Sequence, residues 1–151
     1  MYNVKKCGVS WDEAPMNGGK NMKRSEEFEL RKKCGDLTAL CGIKDYVWND
    51  GPARGVRAFD LKNGKGIDMT VLADRGLDIP YLSYKGYNIG VTSKVGIRSP
   101  YLFQENGGLG FLRQFYAGML TTCGLTYAGS PCEDGGRQLG LHGVIDNTPA
   151  A

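Results

Sequence analysis

The stretch RGVRAFDLKNGKGIDMTVLADRGLDIPYLSYKG, residues 54–86, carries the pattern that decides the fold. Val56 and Ala58, with Phe59 and Leu61, mark one short extended run, and IDMTVL at 67–72 marks its partner. Between them stands Asn63-Gly64, the dipeptide that supplies positive φ at both corners of a type I′ hairpin turn. Runs over 77–84 and 87–92 flank Lys85-Gly86, which reads as a second two-residue turn. Upstream, residues 43–48 form a further candidate strand, closed by Asn49-Asp50-Gly51-Pro52. Short strands at spacings near ten residues predict an all-β, mainly antiparallel sandwich or barrel.

Outward from this block the pattern changes. Residues 23–34, KRSEEFELRKKC, are rich in helix formers and stop at Gly35, which predicts a short helix. A second short helix is expected from Asp36 as N-cap through Leu37, Leu40 and Cys41 to Gly42. Residues 1–22 show no period and include Pro15-Met16-Asn17-Gly18-Gly19, so 1–34 read as an N-terminal arm with a helix and 35–151 as the body. Downstream, 93–110 are irregular and 109–115 read as a short helix or an aromatic-packed loop. Residues 120–126 are β-like and 128–140 a glycine-rich loop. Glycine, at 23 of 151 residues, is about twice as common as usual, and 20 of the 23 follow residue 34 as punctuation between apolar runs.

Composition narrows the class of protein. With 151 residues, 41% hydrophobic and 23% charged, the chain is long enough for one domain that buries a core. No apolar run approaches the ~20 residues of a membrane span, and Lys5 and Lys6 are not followed by the apolar segment of a signal peptide, so the expected compartment is the cytosol. Residues 1–34 hold eight Lys/Arg and five Asp/Glu, whereas 35–151 hold 11 of each. The body therefore lacks the clustered positive face of a nucleic-acid binder. Cys7, Cys34, Cys41, Cys123 and Cys132 are odd in number and contain no CxxC pair, which fits neither a zinc site nor a disulfide framework. They are expected as reduced, packed thiols.

Three stretches together, 54–86, GFLRQFYAGMLTTCGL at 110–125 and LHGVIDNTPA at 141–150, resemble a bacterial family of aldose 1-epimerase-like proteins in the galactose mutarotase-like superfamily. ADRGLDI, then LTTCGL, then LHG with NTPA, are distinctive in combination. The resemblance runs from about residue 36 to residue 150, with 1–34 outside it. It implies a β-supersandwich of two large twisted sheets with a sugar site, and members about twice this length. On that comparison the chain corresponds to the N-terminal part of the sandwich, so a partial fold is expected. A downstream chain, or another copy of this one, would complete it.

The candidate site residues follow. His142 is the only histidine, hence the one side chain with an ordinary pKa near neutrality. It is either hydrogen-bonded within a turn or, as the resemblance implies for a His-Gly at this point, part of the sugar pocket, where it is the candidate catalytic group. Arg75 lies between Asp74 and Asp78. It is either half of a local ion pair or a guanidinium fork offered to a ligand, with the two carboxylates orienting it. Arg113 stands among Phe111, Leu112, Phe115 and Tyr116, either snorkelling from a core face or held over a pocket. Thr122, in Thr121-Thr122-Cys123-Gly124, offers a hydroxyl, and no general base is spaced to activate Cys123. Asp78 joins Arg75, Arg113, Thr122 and His142 as a substrate-binding candidate. Asp74, Glu105, Glu133, Asp134 and Asp146 read as surface or capping residues.

The activity implied by the resemblance is anomer exchange, which needs two opposed proton carriers at C1 and neither metal nor organic cofactor. In the better-known mutarotases the acid is a mid-chain histidine and the base a late glutamate. The motifs present here are the earlier, substrate-positioning ones. The expectation is thus a sugar-binding chain that is catalytically incomplete alone. The alternatives are a non-catalytic carbohydrate-binding or regulatory module and another sugar isomerase on the same scaffold.

Overall fold

The computed structural model describes residues 24–150, so the arm over 1–22 lies outside the described residues. Helix α1 (Arg24–Cys34) has Glu26 and Glu27 in its first turn and Arg31, Lys32 and Lys33 in its last, as the helix dipole favours. It ends at Gly35 with φ +70 and the Gly35 N–H on Arg31 O at 2.8 Å, and it buries no residue. The second expected helix is shorter than predicted. Asp36 does cap it, accepting from Thr38 N, but it is a single 3₁₀ turn (Leu37–Ala39).

Five antiparallel strands follow in chain order as one sheet: β1 (Gly42–Val47), β2 (Arg57–Lys62), β3 (Ile67–Leu72), β4 (Asp78–Tyr84) and β5 (Tyr87–Asn88). Two ribbons accompany it, β6 (Val91–Thr92) with β7 (Ala117–Gly118), and β8 (Cys132–Asp134) with β9 (Arg137–Leu139). The all-β antiparallel expectation therefore holds. The Lys85-Gly86 turn also holds, with φ of +50 and +84 at its two corners. The Asn63-Gly64 turn does not take the two-residue form. Asn63 Oδ1 instead accepts from Lys65 N (2.8 Å) and Ile67 N (2.9 Å), drawing four residues into the loop, and Gly64 and Gly66 carry the positive φ. Residues 109–115 resolve into a 3₁₀ turn (Gly110–Arg113). Residues 120–126 are not a strand and contribute only a bridge from Leu120 to Ile79, whereas the glycine-rich 128–140 contains the β8–β9 hairpin.

Register assigns the two faces of the sheet. Tyr46 opposes Ala58, and Ala58 opposes Leu72, so these three share the face that packs on Ala53, Val56, Ile97 and Tyr116. Farther along that face lie Asp60 and Thr70, with Thr70 Oγ1 donating to Asp60 at 2.7 Å. The pairing of β3 with β4 slips between Thr70 and Leu72: Thr70 opposes Tyr81, yet Leu72 opposes Asp78 rather than Ile79. Pro80, which has no N–H to give the ladder, sits in this bulge. The extra residue turns Asp78 onto the buried face.

The opposite face carries Ile43, Val47, Phe59, Leu61, Met69, Val71 and Leu82, with Ile43 64% and Val47 56% exposed. An apolar face this open favours association over solubility. The 151-residue chain is expected to enhance the fluorescence of a hydrophobic dye. The double variant Ile43→Lys/Val47→Lys should weaken that signal and raise solubility without lowering Tm. Dye binding unchanged by the two lysines would place the exposed apolar surface elsewhere.

Candidate functional site

The site begins where β3 ends. A 3₁₀ turn (Ala73–Arg75) leads into Gly76 at φ +59 and Leu77 at φ +65, and then into β4. Gly76 is required twice, for its left-handed φ and because a Cβ there would lie 2.6 Å from Ile145 O. This turn drives Arg75 inward until it is 0% exposed. Its Nη1 donates to Gln114 Oε1 (2.8 Å), Asn147 Oδ1 (3.1 Å) and Arg98 O (3.4 Å). Its Nη2 donates to Asp146 Oδ2 (3.1 Å) and Gln114 O (3.3 Å). Its Nε lies 3.8 Å from Asp78 Oδ2, an ion-pair contact too long for a hydrogen bond, and the guanidinium sits 5.7 Å from the Tyr116 ring centroid.

Arg75 is thus neither an exposed local pair nor open to solvent. Every resolved donor contact ends on a protein group, and those groups come from three distant stretches. Asp74 does not orient it; that carboxylate turns to Arg57, 2.7 Å from its guanidinium. Asp146, read as a surface or capping residue, is buried, because the cation it neutralises lies inside.

Burial sets the electrostatics. Loss of solvent pushes the Asp146 carboxyl up to about 6, with the Arg75 charge opposing that rise and the Asp78 charge adding to it. Asp78 is also raised by burial, against the pull of the Thr122 N–H, which donates to its Oδ1. The Tyr116 phenol, fully buried beside Asp78, is raised chiefly by desolvation and then by that neighbouring charge. Thr122 is brought to the cluster, but its hydroxyl is spent on Gly76 O at 3.0 Å.

His142 lies on the same chain segment as Asp146, half-buried and at φ +58. Its N–H donates to Gly129 O (3.0 Å), and its carbonyl accepts from Gly124 N (2.8 Å). Gly129 N in turn donates to His142 Nδ1 at 3.3 Å. An accepting Nδ1 leaves the proton of the neutral ring on Nε2. The imidazole meets Phe111 edge-on at 5.0 Å, and Phe111 stacks on Phe115 at 5.2 Å. Arg113, from the same 3₁₀ turn as Phe111, points outward and donates to Gln104 Oε1 at 3.1 Å. The structure therefore gathers Arg75, Asp78 and Thr122 into one cluster and places His142 beside the aromatic pair. Arg113 stays on the surface.

Gln114, Tyr116, Asp146 and Asn147 are the site residues that sequence reading missed. A signal existed for two of them, since Asp146-Asn147 falls inside the LHGVIDNTPA stretch. Among the described residues no group of three His, Cys, Asp or Glu side chains could hold a metal ion.

Two outcomes follow from the cluster. Arg75→Ala should cost about 3–5 kcal/mol, because it leaves buried carboxylates unpaired. Arg75→Lys should also destabilise, since one ammonium cannot serve five planar contacts. Chemical denaturation measures both, and a lysine variant of wild-type stability would contradict the buried role. The second outcome concerns pH. Asp146, at about 6 in the folded chain against 3.8 ordinarily, holds its proton longer when folded. Its contribution to stability therefore falls as pH rises from 3.8 to about 6 and is level above. The full effect is roughly 3 kcal/mol, and Asp146→Asn should flatten that part of the stability–pH curve.

A crystal structure from Klebsiella pneumoniae, of a protein provisionally assigned as an aldose 1-epimerase, superposes with a TM-score of 0.65 at 27% identity. The match covers 71% of this chain and 28% of that one, so the chain spans under a third of that neighbour's length. It identifies the sheet and ribbons as part of an epimerase-like β-sandwich. A comparison with curated proteins finds no match. Residues 53–151 match the family described as a domain of unknown function, DUF4432. The chain, with Arg75 and His142 inside the matched stretch, belongs to that family, which is galactose mutarotase-like.

Proposed function

We propose that the chain is the sugar-binding part of an aldose 1-epimerase-like protein, with His142 at the sugar and Arg75, Asp78 and Thr122 as positioning residues beneath it. The observation that carries this reading is the state of His142. It is a non-glycine residue held at φ +58, with one ring nitrogen engaged by Gly129 N and the ring braced against Phe111. Strain of about 1–3 kcal/mol at one residue persists only where its surroundings over-determine it, and such sites are often functional. Nε2–H is then the donor left to reach a hydroxyl or ring oxygen, with the Phe111 ring beside the imidazole and Phe115 stacked on that ring.

Anomer exchange takes a base at the anomeric hydroxyl and an acid at the ring oxygen, so that the ring opens, the aldehyde rotates and the ring closes on the other face. In this reading His142 is one of the two groups. Asp146, although its carboxyl is raised to about 6, is sealed against Arg75 and serves to position the His142 segment rather than to move a proton. The opposed carrier comes from a further part of the sandwich. The 151 residues alone therefore bind sugar without turning it over. The same reading takes a small-molecule sugar as the ligand, no nucleic acid or membrane as partner, and a cytosolic setting. The free thiols of Cys34, Cys41, Cys123 and Cys132 suit that compartment.

Saturation-transfer NMR on glucose, galactose and a uronate tests both halves. Binding is expected with at least one of them, weakened about tenfold in His142→Ala, and anomer exchange should stay at the buffer rate. Exchange well above buffer that disappears in His142→Ala would put both carriers in this chain. Sugar binding indifferent to His142 would remove the site from this position.

A further inference from the structure

A second built site lies at the other end of the sheet, away from Arg75 and His142. There a cavity of about 750 Å³ opens between the β2–β3 loop, the β4–β5 turn and the wall made by Ala39 and Leu40. Among the described residues Lys62, Lys65 and Lys85 line it together with one carboxylate, Asp68, and with Tyr84 as an aromatic wall. Its size falls within the range of small-molecule pockets.

The lysines are not a random surface scatter. Lys85 N donates to Gly66 O at 2.6 Å, and a Cβ on Gly66 would stand 2.7 Å from Lys85 Cγ. The missing side chain is what lets the lysine stem cross the loop, bringing its ammonium to 5.3 Å from the centre of the Tyr84 ring. On the far side, a Cβ on Gly64 would lie 3.2 Å from Cys41 Cβ, so the loop is seated against the residues after the first 3₁₀ turn. Asn63 fixes the loop between, through its two accepted N–H bonds. A smaller depression of about 250 Å³ shares Lys62 and Asp68 with the first and continues along the sheet over Asp60, Thr70 and Ser83. Asp60 Oδ1 already accepts from Thr70 (2.7 Å) and Tyr46 (3.2 Å), so the carboxylate is held in place and its other oxygen can accept more.

We propose that this end of the sheet binds a phosphorylated polyol, its phosphoryl group among Lys62, Lys65 and Lys85 and its hydroxyls against Asp60, Thr70 and Ser83. The lysines supply several ammonium donors for one compact dianion, the arrangement phosphate requires. Asp60 repels a second anionic group while accepting from hydroxyls, so the ligand is charged at one end and neutral-polar at the other. Because the body from residue 35 onward is charge-balanced, this excess is local and not part of a nucleic-acid face. The site shares no residue with the His142 region and stands or falls separately from the function proposed there.

Heteronuclear NMR on the full 151-residue chain, titrated with glucose 6-phosphate, inorganic phosphate and glucose, tests it. Saturable shifts at Lys62, Lys65 and Lys85 are expected with glucose 6-phosphate, weaker ones with inorganic phosphate, and none there with glucose. Lys62→Gln/Lys85→Gln, which keeps the apolar stems on exposed side chains, should lower affinity about tenfold or more. Gly66→Ala should weaken binding by displacing Lys85, and His142→Ala should leave it unchanged. Absence of saturable shifts, binding unaltered in the double lysine variant, or binding lost in His142→Ala would each overturn the proposal.

Discussion

A guanidinium taken wholly out of water is the constraint around which three separate stretches of this chain are arranged. Burying an ion costs several kcal/mol even after relaxation, and the cost is offset only when its donors are met. Arg75 meets those of its two terminal nitrogens with Gln114 from the aromatic turn and Asp146 and Asn147 from the LHG segment, while Asp78 at the start of β4 faces its Nε as a counter-charge at 3.8 Å without a hydrogen bond. Each of these groups is itself polar and buried or half-buried, so none is satisfied without the others. The consequence is geometric. The turn after β3, the 3₁₀ turn over residues 110–113 and the segment over 141–150 must close on one point. Gly76 N on Thr148 O (3.0 Å) and Ala150 N on Ala73 O (2.7 Å) secure that closure through the backbone.

The strands were readable because each rests on local information. Alternation over two or three side chains and a turn dipeptide suffice, and the runs about Ile67 and Tyr81 carry both. What escaped had weaker local signals or depended on competition. The β8–β9 hairpin has Gly135-Gly136 at its turn, but its strands are short and almost wholly exposed, with no alternation to find. Residues 120–126 look extended by composition. Leu120 does pair with Ile79, but Thr122 is claimed by Asp78, and Gly124 and Leu125 adopt positive φ, so the strand cannot continue. At Asn63 the side chain out-competed the dipeptide preference by taking two N–H groups that a two-residue turn would have left elsewhere.

The site was legible as a set of names more than as a geometry. Arg75 stood out because it lies between two carboxylates, yet the same pattern hid its true partners. Gln114 is 39 residues away and Asp146 is 71. No local reading distinguishes an arginine that pairs across such distances from one that pairs with its neighbour. The bulge at Pro80 mattered equally, since without it Asp78 would leave the buried face and Arg75 would lose a counter-charge. Its only trace in the sequence is one proline within an otherwise regular run, a position where the ladder can spare an N–H.

Backbone strain links the buried cluster to the residue above it. Leu77, Ala117, Leu125 and His142 all hold positive φ without being glycine. Leu77 precedes Asp78, Ala117 follows Tyr116, and Leu125 follows Gly124, whose N–H binds the His142 carbonyl. At about 1–3 kcal/mol each, four such residues would threaten a domain whose whole stability is about 5–15 kcal/mol. They persist because the hydrogen bonds around Arg75 leave those stretches no relaxed alternative. A charge buried for structural reasons thereby fixes the orientation of an imidazole that does not touch it. Substitutions at Arg75 and at His142 accordingly act through different quantities, the first through stability and the second through whatever the ring contacts.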